Sequence, residues 1–156
     1  MKPGVVVDRA SLLALVDGRM TLGACEDALG QDGLTLGLDA LDRTLEIGAW
    51  LAGGAHGARD PWTDPADHLV AGLDATLRDG RQLSIRPAPR RAVGPDLIAL
   101  IVGMAERYAR VDRAWLRVHP RGASRPAAHP LTAERNPPLT DAETALLQAM
   151  DQALRT

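Results

Sequence analysis

Thr44-Leu-Glu-Ile-Gly-Ala-Trp-Leu-Ala-Gly-Gly54 sets a capping-type residue before an apolar stretch and two glycines after it. The chemistry open to such a segment is anion binding. A helix N-terminus offers free N–H groups and a positive dipole end to a phosphate, and glycines let a backbone approach a ligand closely. Gly48, Gly53, Gly54 and Gly57 are placed for this, although the same residues also make an ordinary capped helix and loop. Other reactive types give less. His56, His68, His119 and His129 are scattered without paired spacing, so no metal site is expected. His56 alone sits in the glycine-rich loop. Cys25 falls on the apolar face of a helix, where a small buried hydrophobe is expected rather than a nucleophile. Ser11, Ser84 and Ser124 lack a nucleophile-elbow context. Arg86, Arg90 and Arg91 suit either a phosphate or carboxylate ligand or a solvated strand end. No residue is assigned a catalytic role.

The elements that must position these residues are legible as periodicities. Val5–Val7 and Leu12–Val16 read as strands. Thr21 reads as an N-cap for a helix with Leu22, Cys25 and Leu29 on one face, closed by Gly30. Leu34–Leu38 is extended, and Thr44 caps a second helix in which Ile47, Trp50 and Leu51 share a face. Leu69, Ala71, Leu73, Ala75 and Leu77 alternate with other residues at a period of two, a strand pattern. Asp79-Gly80 then predicts a type I′ turn into a return strand carrying Leu83 and Ile85. Gly94-Pro95-Asp96 opens a buried helix over Leu97–Val102. A last strand turns Ala114, Leu116 and Val118 one way and Arg113, Trp115, Arg117 and His119 the other. Trp115 suits an arginine-stacked surface, a site under the C-terminal helix, or a face covered by a partner.

These elements give an α+β class: a mainly antiparallel sheet of about five strands with surrounding helices. Residues 1–119 form the domain, 120–138 a Pro- and Arg-rich linker, and 139–156 an amphipathic helix. That helix starts at the capping box Thr140–Glu143 and carries Leu146, Leu147, Met150 and Leu154. A length of 156 residues supports one core. With no Phe and one Tyr, that core is aliphatic. A net charge of −2 argues against nucleic acid or an acidic membrane as partner. No apolar run is long enough to span a bilayer, and no signal-peptide pattern is present, so a cytoplasmic protein is expected.

Three landmarks in this order resemble the second subdomain of the PCMH-type FAD-binding domain of the vanillyl-alcohol oxidase / p-cresol methylhydroxylase flavoprotein family. They are Thr44–Gly54, the Asp79-Gly80 hairpin, and Gly94–Gly103 followed by a strand ending at His119. The resemblance covers roughly residues 5–119. It implies FAD as cofactor, contacted by Thr44, Gly48, Gly53, Gly54, Gly103 and Val111. The family's Thr-Val-Gly-Gly segment matches either Thr44-Leu45, with Glu46 in place of glycine, or Ile47-Gly48, with Ala49 in place of glycine. In the Gly103–Val111 run, Glu106 and Ala109 stand where the family has glycines. If those positions need positive φ, a Cβ is strained there. The family's first subdomain, with its glycine-rich pyrophosphate loop, and its substrate cap have no counterpart in the chain. The expectation is therefore an FAD-binding component of an FAD-linked oxidoreductase, inactive alone and completed by a partner polypeptide or a homo-oligomer. The alternative is a degenerate, flavin-free interaction module.

Overall fold

The computed structural model describes residues 4–38, 42–56, 69–87, 97–122 and 141–153. Its main sheet has five strands: β1 (Val5–Asp8), β2 (Leu13–Asp17), β4 (Val70–Leu77), β5 (Gln82–Ile85) and β6 (Ala109–Arg117). They lie in the order β1-β2-β6-β4-β5, and every neighbouring pair is antiparallel. A two-stranded sheet joins β3 (Leu34–Thr35) to β7 (His119–Pro120). The helices are α1 (Leu22–Gln31), α2 (Ile47–Ala52) and α3 (Asp141–Ala153). The expected α+β class with a five-stranded antiparallel sheet is observed.

Local chemistry explains most of these elements. The Thr21 hydroxyl accepts the Ala24 N–H at 3.3 Å and caps α1. Leu22, Cys25 and Leu29 are buried on its inner face. The helix does not stop at Gly30. It runs to Gln31, and the left-handed residue beyond it is Gly33, at φ +69°. Gly30 serves another purpose, because a Cβ there would lie 2.6 Å from the Arg121 guanidinium. One turn earlier, the buried Glu26 carboxylate accepts the Leu36 N–H at 2.6 Å and the Thr35 hydroxyl at 3.0 Å. This side chain ties α1 to β3, whose partner strand β7 adjoins Arg121.

The hairpin after β4 is a three-residue connection. Gly80 donates to the Leu77 carbonyl at 2.9 Å and Leu77 donates to Arg81 at 2.8 Å. Gly80 has φ +86°, whereas Asp79 is not left-handed, so the expected type I′ turn is corrected to a turn closed by one left-handed glycine. The Asp79 carboxylate takes the Arg81 N–H, which holds its pKa below the ordinary value.

Two bulges re-phase the sheet. Ala71 is passed over between Val70↔Leu116 and Gly72↔Trp115, and Asp112 is passed over between Asp74↔Arg113 and Ala75↔Val111. Val70 is therefore fully buried while Ala71 is half-buried, contrary to simple alternation from Leu69 to Leu77. On β6 the bulge lets Val111 face inward together with Ala114 and Leu116. Ala114, Leu116 and Val118 are buried, as expected. Trp115 is half-buried on the opposite face, where Arg113 pairs with Asp74 at 2.7 Å.

The expected helix over Leu97–Val102 is instead a run of turns. Ile101 and Val102 both donate to the Ile98 carbonyl at 2.9 Å, and the next N–H, of Gly103, leaves for α2. Ile98, Ile101 and Val102 are nevertheless buried. The opening Gly94-Pro95-Asp96 and the capping residue Thr140 lie outside the described residues, as does most of the 120–138 segment.

The core is aliphatic, with Leu22, Leu29, Ile47, Leu51, Leu73, Leu116, Val16, Val70 and Val118 fully buried and Trp50 beside them. Cys25 shares it, and burial with the neighbouring Glu26 charge pushes its thiol up to about 12. The thiolate is the reactive form, and it becomes populated only as pH rises toward that value. A thiol reagent at pH 8 is therefore expected to leave the native protein unlabelled and to label it fully in denaturant. Rapid native labelling would refute the buried position.

Candidate functional site

The residues singled out by sequence cluster around the two ends of α2. At its start the N-cap is Glu46, whose side chain makes no capping bond. Thr44 is not the cap. Its hydroxyl and its N–H both go to Asp42 Oδ1, at 2.7 and 3.0 Å, and it is exposed on the turn before the helix. These bonds hold the Asp42 carboxyl below its ordinary value. The helix begins at Ile47 because two of its first N–H groups find carbonyls on the distant β2–α1 connection. Ile47 donates to Met20 at 2.9 Å and Gly48 to Gly18 at 2.7 Å. Those donors are engaged within the protein and do not face a ligand.

Gly48 is buried, and a Cβ there would sit 3.0 Å from the Val111 carbonyl oxygen and 3.1 Å from that of Gly18. Val111 is itself buried. Gly48 and Val111 therefore meet inside, where they let α2 approach β6. Gly18 has a part in the same approach that its residue type alone does not signal. A Cβ on Gly18 would overlap the Val111 carbonyl.

The far end of α2, about 8 Å along its axis, is built differently. Gly53 donates to Ala49, Gly54 to Leu51 and Ala55 to Trp50, so the chain turns back on the helix. Trp50 Nε1 donates to the His56 carbonyl at 2.9 Å and fixes the end of this turn. A segment from far along the chain completes the helix end. Gly103 N–H donates to the Leu51 carbonyl at 2.9 Å and Ala105 N–H to that of Ala52 at 2.8 Å. Gly54 and Gly103 are thereby apposed. A Cβ on Gly103 would lie 3.7 Å from the Gly54 Cα, and one on Gly54 would lie 3.8 Å from the Gly103 Cα. Gly53 and Gly103 are exposed and Gly54 half-buried, so these three glycines form a patch of bare backbone.

Left-handed conformations are concentrated in the same two turns. Gly54 (φ +93°), Ala55 (+52°), Gly103 (+80°), Ala105 (+49°) and Glu106 (+57°) all have positive φ. For Ala and Glu this is uncommon and carries strain, which surrounding bonds must hold in place. Glu106 thus has the strained backbone expected where the family has glycine. Ala109, the other such position, lies within β6 without positive φ. Residue types gave no sign of Ala55 and Ala105. Beyond this turn the Tyr108 hydroxyl is buried without a hydrogen-bond partner.

The remaining candidates are dispersed. His56 is exposed, with its Cε1 3.9 Å from a Cβ built on Gly54. His119 is exposed in β7, and His68, His129, Gly57, Arg90 and Arg91 lie outside the described residues. Among the described residues no group of three His, Cys, Asp or Glu could hold a metal. Among them, too, no helix is long and apolar enough to cross a membrane.

No protein-family model matches the chain. An uncharacterised FAD-linked oxidoreductase, YgcU, of Escherichia coli K12 is 31% identical over 98 residues, which is 62% of this chain and 20% of that protein. The same protein of E. coli O157:H7 matches equally. Two crystal structures of alkyldihydroxyacetonephosphate synthase superpose with TM-score 0.63 at 23% identity, over 77% of this chain. Over the 98 matched residues the chain is similar to an FAD-linked oxidoreductase. The fold is shared with part of alkyldihydroxyacetonephosphate synthase, of which 23% and 21% is covered in the two structures. The chain spans about a fifth of the length of the curated relatives it matches.

The residues themselves bear on whether FAD fits this fold. Gly53, Gly54 and Gly103 leave backbone open to close approach, with no side chain of their own in the way. The first-turn donors Ile47 and Gly48 are already bonded. The described residues thus fit one surface of a large ligand, while the α2 N-terminus does not supply a phosphate cradle.

Proposed function

We propose that this chain is an FAD-binding component of an FAD-linked oxidoreductase, sharing its cofactor with a first FAD-binding half on a partner polypeptide or a second copy. The apposition of Gly54 and Gly103 carries the reading. It brings the two segments that resemble family FAD-binding motifs onto one surface, to which the glycines themselves add no side chain. Gly53, Gly54 and Gly103 would hold FAD directly, and Thr44 is exposed for a further contact. Gly48 and Val111 serve by seating α2 on β6. FAD would supply the redox chemistry, and the protein position and electrostatics. The bonded state of the Ile47 and Gly48 N–H groups agrees with phosphate binding by another half.

A second reading, a flavin-free interaction module, is favoured by Glu106. It holds a carboxylate on the strained turn where the family has glycine.

The visible spectrum of the purified protein, after incubation with FAD and desalting, tests both readings. Retained flavin that is lost in Gly53→Glu supports the first. Gly53 is exposed with negative φ, so this change adds a side chain and a charge without backbone strain. A colourless protein that takes up no FAD, alone or co-purified with its partner, rejects the first reading in favour of the module.

A further inference from the structure

The C-terminal helix is attached to the turn that presents Gly103. Arg107 follows the left-handed pair Ala105 and Glu106, and its guanidinium makes a two-pronged contact with Asp151 of α3, Nε to Oδ1 at 3.0 Å and Nη2 to Oδ2 at 2.5 Å. The partners are 44 residues apart in sequence. Paired N–H···O bonds of this kind are both strong and directional. The other described side chains of α3 are at most half-buried. Leu147, Met150 and Asp151 are half-buried, while Asp141, Thr144, Ala145, Gln148, Ala149 and Gln152 are exposed. None of these described side chains anchors α3 by full burial, so the two-pronged pair is a principal tie between α3 and the turn.

The turn at the other end of this tie has left-handed residues at Ala105 and Glu106. Its strained residues are held by the Gly103 and Ala105 bonds to α2, and by Arg78, whose Nε donates to the Arg107 carbonyl at 2.9 Å. Arg107 is therefore gripped by its main chain from the β4–β5 turn and by its side chain from α3.

We propose that α3 is a detachable latch on the candidate site: the Arg107–Asp151 pair holds the helix and braces the Gly103–Arg107 turn, so that breaking the pair frees both together. The latched state is the one described here. The released state leaves the already exposed Arg107 guanidinium without Asp151. This holds whether or not FAD is the ligand.

The test is amide hydrogen exchange on the full chain at low salt and in 1 M NaCl, for the parent, Arg107→Ala, Asp151→Asn and the charge swap Arg107→Asp/Asp151→Arg. Release is expected to speed exchange of the α3 amides about tenfold, and to raise that of Gly103 and Ala105 in the same variants. High salt reproduces the effect in the parent through screening. The charge swap restores slow exchange. The β6 amides of Val111–Leu116 report global stability and are expected to stay unchanged, which separates release from unfolding. Exchange of α3 that ignores both salt and the two single changes overturns the latch. Faster α3 exchange with Gly103 and Ala105 unaffected overturns the bracing of the turn.

Discussion

Gly18→Ala is expected to destabilise the protein by about 3 kcal/mol, the upper part of the range for overpacking a well-filled interior. The backbone of Gly18 sits at a three-way junction. Its N–H donates to the Asp112 carbonyl at 2.8 Å, and its own carbonyl accepts Gly48 N–H at 2.7 Å. A methyl group there would overlap the Val111 carbonyl oxygen and lie 3.1 Å from that of Asp112. Both obstacles are main chain, so no rotamer change relieves them. The bulge at Asp112 brings those carbonyls to Gly18, so relief means losing either that bulge or the α2 contact. Gly18 does not have positive φ, so alanine's own backbone preference contributes nothing. Gly33→Ala is the control: φ is +69° and the surrounding space is empty, so only the left-handed penalty of about 1 kcal/mol applies. Urea unfolding of the two variants reads the difference. A Gly18→Ala protein as stable as Gly33→Ala would mean that the close approach of β2, α2 and β6 is absent.

Trp50→Ala is expected to cost about 3–5 kcal/mol, in the usual range for truncating a buried aromatic residue. Trp50 is 3% exposed and packs in the core cluster with Ile47 and Leu51 from α2. Trp50→Phe separates its two contributions. Phenylalanine keeps much of the apolar volume but removes the Nε1 bond to the His56 carbonyl, so a loss of about 1–2 kcal/mol is expected. That bond closes the turn after Gly54, so the same variant should speed exchange of the Ala55 amide, which donates to the Trp50 carbonyl at 2.8 Å. If Trp50→Phe is neutral and the Ala55 amide is unmoved, the indole does not hold the glycine turn in place.

Where the sequence succeeded, the controlling interaction was local. The Thr21 cap uses an N–H three residues away, and the alternation of Ala114, Leu116 and Val118 is a property of one strand. Where it failed, a distant partner decided. The Leu97–Val102 run has the composition of a helix, but Gly103 N–H finds the Leu51 carbonyl and the turns end there. Thr44 has the type of a cap, yet Asp42 takes its hydroxyl. Bulges at Ala71 and Asp112 are set by strand pairing and leave no mark in residue type. The candidate site divides in the same way. Gly53 and Gly54 were visible as a pair. Their apposition to Gly103, and the left-handed Ala55 and Ala105, depend on how the two halves of the chain fit together.

The strand order has a consequence for how the molecule comes into being. β6 lies in the middle of the main sheet but is the last of its five strands to be synthesised. Until it emerges, the β1–β2 and β4–β5 hairpins have no shared neighbour, and each leaves an inner edge open to unwanted pairing. The nascent chain must therefore wait for residues near Arg117 before it can close, a delay that non-local pairing also imposes on refolding.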